Sequence, residues 1–159
     1  AGWTIAKKLL QHERRFISNF GLAAGMGSKK DVVSLAKKHF GEDEGKISNP
    51  IFRSKVIDHK MKEHAFGLTL QRAADEGGKA SAVASMFKYY GTEHNKRRHE
   101  LMVAASGVNG LAWDGNEFDD SEKNLTRAWL RTKGNSIEGG TSEVQLNVIS
   151  KRVLELPSG

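Results

Sequence analysis

Apolar residues recur at intervals of three and four along most of the chain, the spacing of one helix face. Between Trp3 and Phe20 the stripe runs Ile5-Ala6, Leu9-Leu10, Phe16-Ile17 and Phe20, and glycines between Gly21 and Ser28 end it. Val32-Val33, Leu35-Ala36 and Phe40 predict a short helix, which the polar stretch Gly41 to Asn49 stops as a loop. Pro50 suits a first helical turn, where its missing N–H costs nothing. The next stripe is Ile57, Met61, Ala65 and Leu68, ending at Gly77-Gly78. A long helix is predicted through Ala80, Val83-Ala84, Phe87, Tyr90, His94, Leu101-Met102 and Ala105, closing near Gly107. Beyond a loop with Trp113 and Phe118, a shorter helix carries Leu125, Trp129 and Leu130. The last helix starts after Gly139-Gly140 and runs to Leu156, where Pro157 stops it. No strand-like alternation, internal repeat or low-complexity segment interrupts this pattern. The expected fold is all-α and one domain, an antiparallel up-and-down bundle of about five or six helices.

Composition narrows the class. With 159 residues the chain is long enough to bury a core of several helices. The absence of cysteine excludes a disulfide-stapled scaffold. Apolar runs fall far short of the roughly 20 residues that span a bilayer. The chain opens on Ala1 with neither methionine nor a signal-like segment, so it is expected to be processed or part of something longer. The lack of cysteine and of a signal points to an intracellular, bacterial-type cytoplasmic setting. A net charge of +6 raises the prospect of nucleic acid. The basic residues, however, lie in scattered pairs such as Lys7-Lys8, Lys37-Lys38 and Arg97-Arg98, and Glu42-Asp43-Glu44 and Asp119-Asp120 interrupt them. A solvated basic surface is the expectation, with a small phosphate-bearing ligand as a narrower option and no nucleic-acid partner.

Two places break the pattern. Glu13 lies three and four residues from Leu10 and Leu9, and again from Phe16 and Ile17. Its carboxylate therefore falls within the apolar stripe of the first helix, where desolvation raises a carboxyl pKa. Such a group is either a general base or half of a buried ion pair, with Arg14 or an arginine on another helix as partner. The second break is Gly134 to Gln145. Two glycines bring the backbone close, Thr141 or Ser142 can cap the last helix, and Ser142 with Gln145 fits a capping box. Free N–H groups at such a start suit an anion, although an ordinary capped turn has the same sequence. The histidines at 12, 39, 59, 64, 94 and 99 show no metal-ligand run. His59 and Glu63 read as a surface i, i+4 pair and His94 as a core histidine, so no metal is expected. Left-handed helix caps account for both Gly107 and Gly110.

At these residues the sequence resembles a known family. Arg131 to Pro157, centred on Gly139-Gly140-Thr141-Ser142-Glu143-Val144-Gln145, resembles the C-terminal end of flavin-dependent acyl-CoA dehydrogenases. Gly2 to Arg14 resembles the first helix of their C-terminal domain, and Gly107-Val108-Asn109-Gly110-Leu111 fits between them. The resemblance implies a C-terminal helical bundle spanning residues 1–159, with the N-terminal helical and middle β-domains absent from this chain. It implies FAD as cofactor, an acyl-CoA substrate, an electron-transfer flavoprotein or similar acceptor, and a homodimer or homotetramer. The implied reaction is α-proton abstraction with β-hydride transfer to flavin, giving the 2,3-enoyl-CoA; the fragment alone would be inactive.

In many members the base directly precedes the Gly-Thr of this turn, a position held here by Gly139. A second group carries it on the first helix, immediately before an arginine; that position is Glu13, followed by Arg14. Glu138, one residue from the usual place, is the runner-up. Gly140, Thr141 and Glu143 match positions that contact FAD. A further segment typical of the family, Arg-x-x-Phe-Gly after the first helix, is missing, and Asn49 to Arg53 stands where the next helix should start. The alternatives are a non-catalytic assembly subunit and, less favoured, a basic nucleic-acid-binding module.

Overall fold

A computed structural model of the chain describes residues 2–10, 12, 31–75 and 80–157, with the backbone alone at 80–84. Its elements are α1 (helical over residues 2–10), α2 (Val32–Phe40), β1 (Glu42–Asp43), β2 (Lys46–Ile47), α3 (Pro50–Asp75), α4 (Ala80–Ala105), a 3-10 turn (Gly107–Leu111), α5 (Asp120–Asn135) and α6 (Ser142–Arg152). The all-α expectation holds. The chain groups into two compact units. The first draws on Ala1–Gly27, Phe66–Glu93 and Gly134–Gly159, the second on Ser28–Ala65 and His94–Lys133.

Among the described residues, the apolar core lies in the second unit. Val32 and Ala36 of α2, Phe52 and Val56 of α3, Leu101, Met102 and Ala105 of α4 and Leu125 of α5 are buried together with Ile47. Phe40 at the end of α2 packs its ring 4.7 Å from that of Phe52. Asn49 starts α3 by accepting the Phe52 N–H on its side-chain oxygen at 2.9 Å, and Pro50 takes the first helical position as expected.

The buried face of α3 differs from the one its most obvious stripe suggests. Ile57, Met61 and Leu68 are all more than half exposed, at 52%, 67% and 54%, whereas Phe52, Val56 and His59 are buried. This helix carries apolar side chains on two faces. The row at 52, 56 and 59 wins because it contains the aromatic that meets α2. The rejected face has a use: Ile57 and Met61 line an open cavity of about 470 Å³ with Val33 and Ile47, rimmed by Lys37 and Arg53.

The segment expected to be loop from Gly41 to Asn49 contains a small antiparallel hairpin, pairing Glu42 with Ile47 and Asp43 with Lys46. Both turn residues, Glu44 and Gly45, have positive φ (46° and 78°), the backbone that twists with a two-residue hairpin. Arg53 donates to the Ile47 carbonyl at 3.0 Å and so braces the hairpin.

Asp119 and Glu122 form a reciprocal capping box at the start of α5: each backbone N–H donates to the other's carboxylate, at 3.0 and 2.9 Å. Gly107 has the left-handed backbone expected of a cap, with φ 56°. Gly110 does not. It is required for space, because a Cβ there would strike the Val103 carbonyl. The last helix ends at Arg152, short of Leu156. Among the described residues, no helix is long and apolar enough to cross a membrane.

Candidate functional site

The turn between α5 and α6 lies in the first unit and carries most of the residues singled out in the sequence. The N–H groups of Ile137 and Glu138 both donate to the Gly134 carbonyl at 3.0 Å. Gly139 and Gly140 then adopt φ of 67° and 96°, which an L side chain rarely does. Thr141 is the N-cap of α6, its hydroxyl accepting the Val144 N–H at 3.3 Å. The cap is therefore Thr141 with Val144, one residue earlier than the Ser142–Gln145 box. Ser142 instead donates its hydroxyl to Glu93, and Gln145 turns back to donate its side-chain N–H to the Gly139 carbonyl at 3.0 Å.

Two buried polar side chains, Lys88 and Gln145, and the half-buried Glu93 hold this turn. Lys88 of α4, 1% exposed, donates from Nζ to the Gly140 carbonyl at 2.7 Å. One carboxylate oxygen of Glu93 accepts the hydroxyls of Ser136 and Ser142, each at 3.1 Å. Gln145 is fully buried, and among the described residues its Oε1 accepts no hydrogen bond. A Cβ at Gly140 would lie 2.6 Å from Gln145 Nε2, so glycine is required there for space as well as for conformation. Sequence reasoning did not single out Lys88 or Glu93. The only signal for them was polarity within a long helical stripe.

Gly140, Thr141 and Glu143 thus stand on one turn. Glu143 is exposed in the first turn of α6, and hydrogen bonds from its own backbone N–H and from Thr141 hold its carboxyl below the ordinary range. Glu138 is on the same turn, half-buried, and accepts the Asn135 side-chain N–H at 2.6 Å. Glu13 lies outside the described residues. An ionised Glu143 already occupies the positive end of α6. This helix start therefore favours hydroxyl and N–H donors of a ligand over its phosphates.

A separate cluster lies in the second unit. His59 is 2% exposed, which corrects the surface pair expected for it and Glu63, and it stacks on His94 with ring centroids 4.1 Å apart and planes 7° from parallel. Burial first, and then the neighbouring His94, push the His59 pKa down to about 4; burial also lowers that of His94. Both rings are therefore neutral at pH 7. Ligand atoms of His59, Glu63 and His94 all lie within 4.8 Å of one another. Lys60 bridges Glu63 and Asp31, at 2.9 Å each. No spacing rule predicts this cluster, because His94 belongs to a different helix.

The family model for the acyl-CoA dehydrogenase C-terminal domain matches residues 1–154. Acyl-CoA dehydrogenase IpdE1 of Mycobacterium tuberculosis is 26% identical over 157 residues, covering 98% of this chain and 38% of that protein. IpdE1 of Mycolicibacterium smegmatis is 25% identical over 158 residues, covering 98% and 37%. The chain thus spans less than two-fifths of the length of these curated relatives. Among solved structures, a variant of the steroid ACAD Tcur3481–Tcur3483 superposes with a TM-score of 0.72 at 20% identity, over 99% of this chain and 40% of that one. The ChsE4–ChsE5 complex of Mycobacterium tuberculosis gives 0.65 at 20% identity, over 80% and 34%.

Proposed function

The chain belongs to the acyl-CoA dehydrogenase C-terminal-domain family, and from that premise we propose that it is the C-terminal helical part of a longer FAD-dependent acyl-CoA dehydrogenase. The observation that carries the reading is the α5–α6 turn. Its two left-handed glycines, Thr141 cap and ionised Glu143 present backbone and acceptors together at a helix start. These residues fit the hydroxyl-bearing part of FAD: Gly140 offers backbone with no side chain in the way, and Glu143 accepts hydrogen bonds. Bound flavin would supply the hydride acceptor that turns an acyl-CoA into its 2,3-enoyl product.

The remaining chemistry falls to a carboxylate that removes the α-proton of the thioester. We assign it to Glu13, with Glu138 as the runner-up. Residue 139, the position of the base in many relatives, is a buried glycine here. Glu138 is engaged with Asn135, which commits its carboxylate to the turn. A base works best in a dry site with its pKa raised toward that of the proton it removes. The apolar neighbours of Glu13 in the sequence, Leu9, Leu10, Phe16 and Ile17, are what support that assignment. The proposed electron acceptor is an electron-transfer flavoprotein or similar carrier, and the assembly a dimer or tetramer.

The intact protein is expected to purify with flavin and to bleach it anaerobically with some acyl-CoA, steroid thioesters included in the panel. Glu13→Gln should lower the reduction rate by about a hundred- to ten-thousandfold, with FAD still bound, as loss of a general base implies. Normal reduction in that variant would overturn the assignment of the base. Glycine at position 139 also favours a second reading, a non-catalytic subunit of a mixed flavoprotein oligomer. It predicts that replacing Glu13 and Glu138 together leaves turnover of the assembly unchanged.

A further inference from the structure

We propose that His59, Glu63 and His94 form a site for one borderline divalent transition-metal ion of the zinc type, tying α3 to α4 inside the second unit. The site is independent of the flavin reading, since none of its residues lies on the α5–α6 turn. His59 and Glu63 stand one helical turn apart on the same side of α3, and His94 reaches them from α4.

His59 makes the strongest case. Its side chain is 2% exposed, and neither ring nitrogen has a hydrogen-bond partner among the described residues. An imidazole carries a donor and an acceptor, and leaving such a group buried and unsatisfied is unfavourable. A bond to a metal would satisfy one of these nitrogens. Two imidazoles and one carboxylate leave a fourth position for water, a donor set that suits zinc or cobalt(II) better than magnesium or calcium.

The geometry is open rather than closed. Donor atoms up to 4.8 Å apart must approach to roughly 3.4 Å, the separation in a tetrahedral site with bonds near 2.1 Å. The rings stack with nearly parallel planes, and one ion cannot lie in both, so at least one ring must tilt toward it. Glu63 would exchange Lys60 for the metal, and Lys60 keeps its bridge to Asp31 at 2.9 Å. Lys60, Lys62 and Arg98 oppose a cation here, and the Glu63 charge offsets part of that.

The test uses the full chain stripped with a chelator and titrated with cobalt(II), then with zinc(II). We expect the visible bands of four-coordinate cobalt to saturate at one equivalent, zinc to displace them, and zinc to raise the melting temperature. Half-exposed Glu63 can be altered without opening the core. Glu63→Gln should weaken zinc binding at least tenfold and His94→Gln more, while His12→Gln and His64→Gln leave it unchanged. Absence of the cobalt bands at saturating metal would overturn the proposal. So would zinc affinity that is unaltered in Glu63→Gln and falls with the exposed histidines, the mark of an adventitious ion only.

Discussion

In the second unit, apolar side chains from α2, β2, α3, α4 and α5 bury one another. Among the described residues of the first, the side chains sunk deepest are Lys88 and Gln145, both aimed at backbone carbonyls of a single turn. Apolar packing is non-directional, so its energy is spread over many contacts and a core tolerates exchange of one hydrophobe for another. A hydrogen bond from a buried ammonium or amide fixes one atom in one place, and its loss leaves that atom unsatisfied. The second unit is built to be stable, whereas the turn in the first is built to be positioned. That division is what the turn would require if it contacts flavin as proposed.

The largest expected effect is in the apolar core. Phe52→Ala removes the aromatic that joins α2 to α3 and should cost about 3–5 kcal/mol in urea unfolding. If the two regions are held by different means, flavin affinity of the intact protein at low denaturant stays close to the parent's. A large loss of flavin affinity in Phe52→Ala would break the comparison.

Next comes Lys88→Met, which keeps the length of the side chain and removes the donor to Gly140. Leaving that carbonyl unsatisfied should cost about 1.5–3 kcal/mol, less than Phe52→Ala. Its distinguishing result is a drop in flavin affinity out of proportion to the stability lost. Unchanged stability and unchanged flavin affinity together would show that Lys88 does not hold the turn.

These contrasts also explain what was legible in the sequence. The helices were, because three-and-four spacing of apolar residues is local and survives any tertiary arrangement. The buried face of α3 was not, because Ile57 and Met61 are as apolar as Val56 and only packing against α2 selects between them. The hairpin was hidden by its brevity and polarity, with Glu44-Gly45 as its single signal. Gly140, Thr141, Glu143 and Glu138 were legible as one segment, since a turn is contiguous in sequence. Lys88 and Glu93 were not, because they reach the turn from a helix far along the chain, and nothing in their own neighbourhood marks them. His59 and His94 are likewise far apart in the sequence, on different helices.

The smallest effect sharpens the comparison most. Thr141→Ala deletes a cap whose hydrogen bond is long, at 3.3 Å, so about 0.5–1 kcal/mol is expected, the lower part of the range for such caps. Lys88, Glu93 and Gln145 still pin the turn in this variant, so the backbone of Gly139 and Gly140 should keep its place. Flavin affinity then falls only by what the lost hydroxyl itself contributes, and Thr141→Ser restores both stability and affinity. A thermal melt with a flavin titration on each variant checks this. If Thr141→Ala instead loses as much flavin affinity as Lys88→Met, the turn depends on its cap, and the buried polar groups beneath it are packing rather than positioning.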